Sequence, residues 1–191
     1  MTTPPLPQWT ALARDAVFTD PTEMLLKADR FDQTIRRRNW REYAAGVSGV
    51  LLSIGMAAFF AWVGDYAIVG AVMVTGMGFL VVMHNLRRHA SPVERLPEEP
   101  CIEHLRRQYR YQAEALHSVA SWYIGPLVPG FLAMQAAIFW NAAQDRGWEE
   151  ALTDKGWPFA LIVAFLIGVI ALNRWAARDL RRKLAALETL D

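Results

Sequence analysis

From Tyr43 to Met83 the only charged residue is Asp65, from Val119 to Ala143 there is none, and Phe159 to Leu172 is apolar throughout except for Gly168. A helix needs roughly 20 apolar residues to cross the ~30 Å hydrocarbon core of a bilayer, so the first stretch is long enough to cross twice and must fold back. Gly64-Asp65, near its midpoint and flanked by Trp62 and Tyr66, suits a tight turn at an interface. The pattern predicts an all-α integral membrane protein with four transmembrane helices in two hairpins, spanning 43–63 and 66–83, then 121–141 and 157–174.

Outside these spans the apolar positions become stripes. Met24, Ala28, Phe31 and Ile35 recur at helical steps along an otherwise charged segment. Asp20-Pro21-Thr22-Glu23 has the residues of a helix start, with a cap, a first-turn proline and a capping-box acid. An amphipathic helix over 21–42 is therefore predicted to run straight into the first span, after a disordered segment 1–20. Within the connector 84–120, Ser91 to Pro100 is irregular and proline-rich. Ile102, Leu105, Tyr109, Gln112, Leu116 and Val119 then follow heptad spacing, with Arg106, Arg107 and Arg110 off the stripe. Pro126 and Pro129 must bend the entry to the third span or start a new helix there. The last span continues into a helical tail, 175–191, where Ala176, Leu180, Leu184 and Leu187 keep helical spacing among basic residues.

Charge orients the spans. The formal net charge of +1 is a cancellation and gives no reason to expect a nucleic-acid partner. Of 20 Lys and Arg residues, only Arg146 and Lys155 fall between spans 3 and 4; the rest lie before span 1, between spans 2 and 3, or after span 4. Cations near span ends stay on the cytoplasmic side, which places both termini and the central connector there. Trp40, Tyr43, Trp62, Tyr66, Trp122, Tyr123, Trp140, Trp157 and Trp175 sit at or beside span ends, the headgroup depth that amphipathic rings favour. A soluble bundle would need polar residues interrupting each apolar stretch. Met1 to Thr10 holds three prolines and no cationic leader before an apolar run, unlike a signal peptide, so span 1 is expected to direct insertion.

Candidate chemistry is sparse. The spans contain Ser48, Ser53, Thr75 and Gln135 but no ionisable group away from their ends, which disfavours a small channel or transporter. Gln135 calls for an interhelical hydrogen bond. Ala45, Gly49, Ser53, Ala57 and Ala61 recur every four residues and form one smooth face on span 1. That face serves either packing against span 2 or self-association into a homo-oligomer, and the row alone does not distinguish them. Cys101 and His104 are one helical turn apart, but zinc sites normally present paired Cys or His motifs and only one such pair exists, so no metal or other cofactor is expected. No nucleophile–base pair or phosphate loop appears, and no enzyme is predicted.

Lys27-Ala28-Asp29-Arg30-Phe31, followed by Ile35-Arg36-Arg37-Arg38-Asn39-Trp40-Arg41-Glu42-Tyr43, resembles a group of small four-span bacterial inner-membrane proteins. In that group a tryptophan-containing segment precedes an R-R-R-N-x-R-E-Y junction, and the genes often lie beside extracytoplasmic-function sigma factors. Arg107-Gln108, Ala115-Leu116-His117-Ser118-Val119, Trp122-Tyr123, Pro126 and Pro129-Gly130 are similar too, and Trp9 matches the early tryptophan in a Pro-Gln-Trp-Thr context that departs from the group's usual one. The resemblance implies a bacterial inner-membrane location and a regulatory setting, and it carries no activity. The zinc-binding His and Cys pattern of one large anti-sigma class is absent. The stripes must cover each other, the bilayer surface or another protein. The expected function is thus a non-enzymatic regulator or adaptor holding a soluble cytoplasmic partner through its helices, with Phe31, Ile35, Arg36, Arg37, Arg38, Leu105, Tyr109 and Leu116 as the candidate contacts.

Overall fold

No proline follows Pro21 until Pro92, so nothing breaks the hydrogen-bond ladder between the charged and apolar halves of the first helix. In the computed structural model α1 (Pro21–Val63) accordingly runs for 43 residues, about 64 Å at 1.5 Å per residue and longer than a bilayer is thick. The structure describes residues 21–94, 96 and 99–188, without the side chains of residues 21–25 and 27. The segment expected to be disordered (1–20, with Trp9 and the Asp20 cap) and the tail end at 189–191 lie outside the described residues, and so does the side chain of Met24 in the first stripe.

Gly64 ends α1 at φ 89°, a left-handed conformation that costs a side-chain-free residue nothing. Asp65 then caps α2 (Tyr66–His89), its carboxylate accepting the Ile68 N–H at 3.1 Å. After the connector, α3 spans Cys101–His117. The two prolines do not break the path into the next helix. A π-helical turn (Ala120–Ile124) and a 3-10 turn (Gly125–Leu127) change the pitch there, and α4 (Val128–Arg146) follows directly.

The expected loop between the last two spans is helical instead. Gly147, at φ 85°, alone separates α4 from α5 (Trp148–Glu188), so the predicted start at 157 lies inside a helix of 41 residues. Glu149 and Glu150 in its first turn complement the helix dipole, and Pro158, which costs one ladder bond, is accommodated within it.

In their apolar halves the helices pack in the order α1, α2, α4, α5, while α5 also packs on α3 and α1 touches α3 at the polar end. The row is tight where side chains are small. A Cβ on Gly78 would lie 2.6 Å from the Pro126 carbonyl oxygen, and one on Gly130 would strike the Thr75 backbone. Ala57, Ile68, Val72 and Ala137 form a buried cluster. Among the described residues there is no strand.

Four helices, Ala28–Val63, Tyr66–His89, Ala120–Arg146 and Trp148–Glu188, are long and apolar enough to cross a membrane. Only 17%, 28%, 22% and 0% of their most apolar windows is buried inside the chain. A water-soluble bundle hides its apolar faces; here Leu51, Leu52, Phe165 and Ile167 stay exposed. At the polar end α1, α3 and α5 converge on a second apolar cluster of Ala28 and Leu105 with Cys101, Tyr109 and Leu187, and the Phe31 and Tyr109 rings meet edge to face at 4.9 Å.

Candidate functional site

The most enclosed face of α3 is polar. His104, Gln108 and Gln112, spaced by four, are 3%, 0% and 1% exposed. Groups so removed from water need partners. The Gln112 side-chain carbonyl accepts Arg38 Nη2 at 3.1 Å, and its amide lies 3.4 Å from the carbonyls of Ala90 and Ser91, to which it donates. Asn39 donates to the same Ala90 carbonyl at 2.7 Å. Ala90 terminates α2, where the last carbonyls have no partner within the helix. Side chains from α1 and α3 thus supply the missing donors. Gln108 donates to Asp32 while its side-chain oxygen has no partner among the described residues, and Glu99 accepts Arg107 Nη2 at 2.8 Å and lies 3.3 Å from His104 Nδ1 without a hydrogen bond between them.

A second set of ties lies closer to the apolar halves. Asn85 donates to the Trp122 carbonyl and the Trp122 indole N–H to that of Ala115, each at 2.8 Å. The Tyr123 hydroxyl donates to Glu42, and the Tyr111 hydroxyl to the Arg88 carbonyl. His89 stacks on Trp122 with ring centroids 5.8 Å apart. The segment Arg36 to Tyr43 is therefore sorted by helical position. Arg38, Asn39 and Glu42 turn inward to bind other elements, while Arg36, Arg37, Trp40 and Arg41 are exposed. Burial holds the Arg38 guanidinium below its ordinary pKa, and the Glu42 charge acts the other way.

Three cavities adjoin this junction. One of about 240 Å³ is lined by Phe31, Ile35, Arg38, Gln112, Leu116 and Trp175. Another, about 150 Å³, lies among Arg38, Glu42, Leu86, Trp122, Tyr123 and Asn173. The third, about 470 Å³ and almost wholly apolar, lies between α2, α4 and α5.

The residues singled out from sequence divide accordingly. Phe31, Ile35, Leu105, Tyr109 and Leu116 face the other helices of the polar end: Ile35 and Leu105 are buried, and Phe31, Tyr109 and Leu116 are half-buried. Arg38 joins them, whereas Arg36 and Arg37 do not. On the first span, Ser53 and Ala57 are buried, and a Cβ on Gly49 would lie 2.8 Å from the Phe79 ring, so these three sit against α2. Ala45 and Ala61 are exposed. Gln135 is half-buried on α4, and interhelical bonds at the span ends come from Asn85, Glu42 and Asn141, the last donating to Asp65 at 2.6 Å. Asn39 and Gln108 belong to the stretches that carry the resemblance but were not among the candidate contacts. The available signal was the i, i+4 recurrence of 104, 108 and 112 on one face of a charged helix.

Among the described residues no group of three His, Cys, Asp or Glu side chains is placed to share a metal ion. Cys101 packs against the Ala28–Leu105 cluster and His104 faces Glu99. Chemically, the junction fixes three helices in register and leaves a cationic outer face. Compared with family models, curated proteins and solved structures, the chain gives no match.

Proposed function

We propose that the protein is a four-span bacterial inner-membrane protein with both termini cytoplasmic, a non-enzymatic regulator or adaptor that holds a soluble partner on its cytoplasmic helices. The orientation rests on the segregation of cations along the sequence, with Arg146 and Lys155 alone among the basic residues between the third and fourth spans. The observation that carries the reading is the sorting of the arginine run. The apolar stripes of α1, α3 and α5 are spent on one another, which makes a preformed head, while Arg36, Arg37, Arg41, Arg178, Arg181 and Arg182 remain exposed on it. A fixed cationic surface on a rigid head suits a partner that presents an acidic face. Self-association through the first span is not used in this reading, because Gly49, Ser53 and Ala57 are already in contact with α2.

Affinity purification of the full chain from native membranes tests the proposal. A soluble protein is expected at stoichiometric level, and Arg36→Glu with Arg37→Glu should release it without loss of the membrane protein, since exposed substitutions cost little stability. Recovery of no stoichiometric partner would remove the reading.

A further inference from the structure

We propose that the cleft between α2, α4 and α5 is a binding site for an anionic phospholipid, with an acyl chain in the apolar cavity and the phosphate at Arg38. Helix α5 is held at two places. Near its start Phe159 stacks on Phe131 at 5.7 Å and meets Phe139 edge to face at 6.2 Å, and near its end Ala177 and Leu180 are buried where it packs with α3. Between those anchors it stands off from α2 and leaves the cavity of about 470 Å³, lined by Phe79, Leu127, Phe131, Ile162, Phe165 and Leu166 among others. Phe165 and Ile162 on its wall are exposed, so the cavity is an open groove rather than a sealed void, and apolar walls of this kind are not stabilised by water. At the depth of the spans the available filling is hydrocarbon.

The polar end of the cleft identifies the rest of the ligand. Tyr123 and Val169 line both the apolar cavity and the one of about 150 Å³ above it, so the two adjoin at these side chains. From Val169 to Asn173 is one helical turn, ~6 Å at 1.5 Å per residue. Over that distance the lining gains Arg38, Glu42, Trp122 and Asn173 beside Leu86, Leu116 and Val119. The bonds from Arg38 to Asn39 and Gln112 both use Nη2, and a guanidinium carries five donors. Glu42, the acid in the same cavity, accepts the Tyr123 hydroxyl and lies within the field of Arg38. Arg41 and Arg174, the sequence neighbours of Glu42 and Asn173, are exposed. An apolar groove adjoining a pocket that holds the Arg38 guanidinium matches an acyl chain attached to a phosphate.

This inference rests on the membrane reading of the four helices and is independent of the adaptor role, because its test involves no protein partner. The full chain, purified in mild detergent and equilibrated with vesicles of equal parts phosphatidylglycerol and phosphatidylethanolamine, is measured by native mass spectrometry. A single retained phosphatidylglycerol is expected, favoured by about fivefold, the scale of one cation facing an anionic headgroup. Leu166→Trp and, separately, Ile162→Trp fill the slot and should abolish retention, whereas Leu161→Trp on the exposed face should leave it unchanged. Arg38→Gln should keep a lipid but lose the preference. Circular dichroism and gel filtration show which slot variant is folded, and a folded one is read. No retained lipid, equal retention of the two headgroups by the native chain, retention unaffected in the folded slot variant, or equal loss with Leu161→Trp would each overturn the proposal.

Discussion

Two glycines set how closely α2 meets the entry to α4. Gly78 lies under the Pro126 carbonyl and Gly130 against the Thr75 backbone, and neither neighbour is the movable end of a side chain. Gly78→Ala and Gly130→Ala should therefore cost about 1–3 kcal/mol each, the usual penalty for overpacking. In detergent the unfolding midpoint should fall by roughly 2–4 °C for each kcal/mol, while Gly55→Ala and Gly168→Ala, where the space is open, should not lower it. These two glycines were not legible in the sequence. The row on the first span was visible because its members recur along one helix, but a contact between positions 78 and 126 has no local periodicity to reveal it. The same applies to Asn39: its bond to Ala90 joins residues 51 positions apart.

Helix α3 shows what an amphipathic pattern conveys and what it hides. Leu105 and Tyr109 mark the apolar stripe, and both pack with α1 or α5. Gln112, which falls on that stripe, is enclosed because the termination of α2 at Ala90 brings unsatisfied carbonyls against it, and Gln108, which lies off the stripe, is enclosed beside Asp32 of α1. On α5, charge and proline at 148–158 concealed a continuous helix that begins directly after Gly147. The tail of α5 depends on its contact with α3, where Arg106 also donates to the Leu187 carbonyl at 2.6 Å. Leu180→Asp places a charge at a buried contact, and a truncated core leucine alone costs about 2–5 kcal/mol. Trypsin cleavage at Arg181, Arg182 and Lys183 should accelerate by at least about tenfold, since tenfold corresponds to only 1.4 kcal/mol of local opening. Ala185→Asp, at an exposed position, should leave the rate unchanged.

The chain as a whole is a row of four apolar helices with one polar-cored head, an arrangement stable only if something apolar covers its outer faces. None of the most apolar window of α5 is buried by the rest of the molecule. Apolar length made the four long apolar helices readable before any fold was known, and cation segregation is what the proposed direction rests on; the order α1, α2, α4, α5 and the gap beside α5 depend on packing between distant segments and were not readable. The account stands on the basic head and the Gly147 turn lying on opposite sides of a bilayer. Its most direct test is labelling of intact cells with a membrane-impermeant maleimide, in a Cys101→Ser background carrying either Arg110→Cys or Trp148→Cys. The cysteine at 148 should react from outside and the one at 110 only after lysis. Reaction of both from the same side, or of 110 alone in intact cells, would contradict the account.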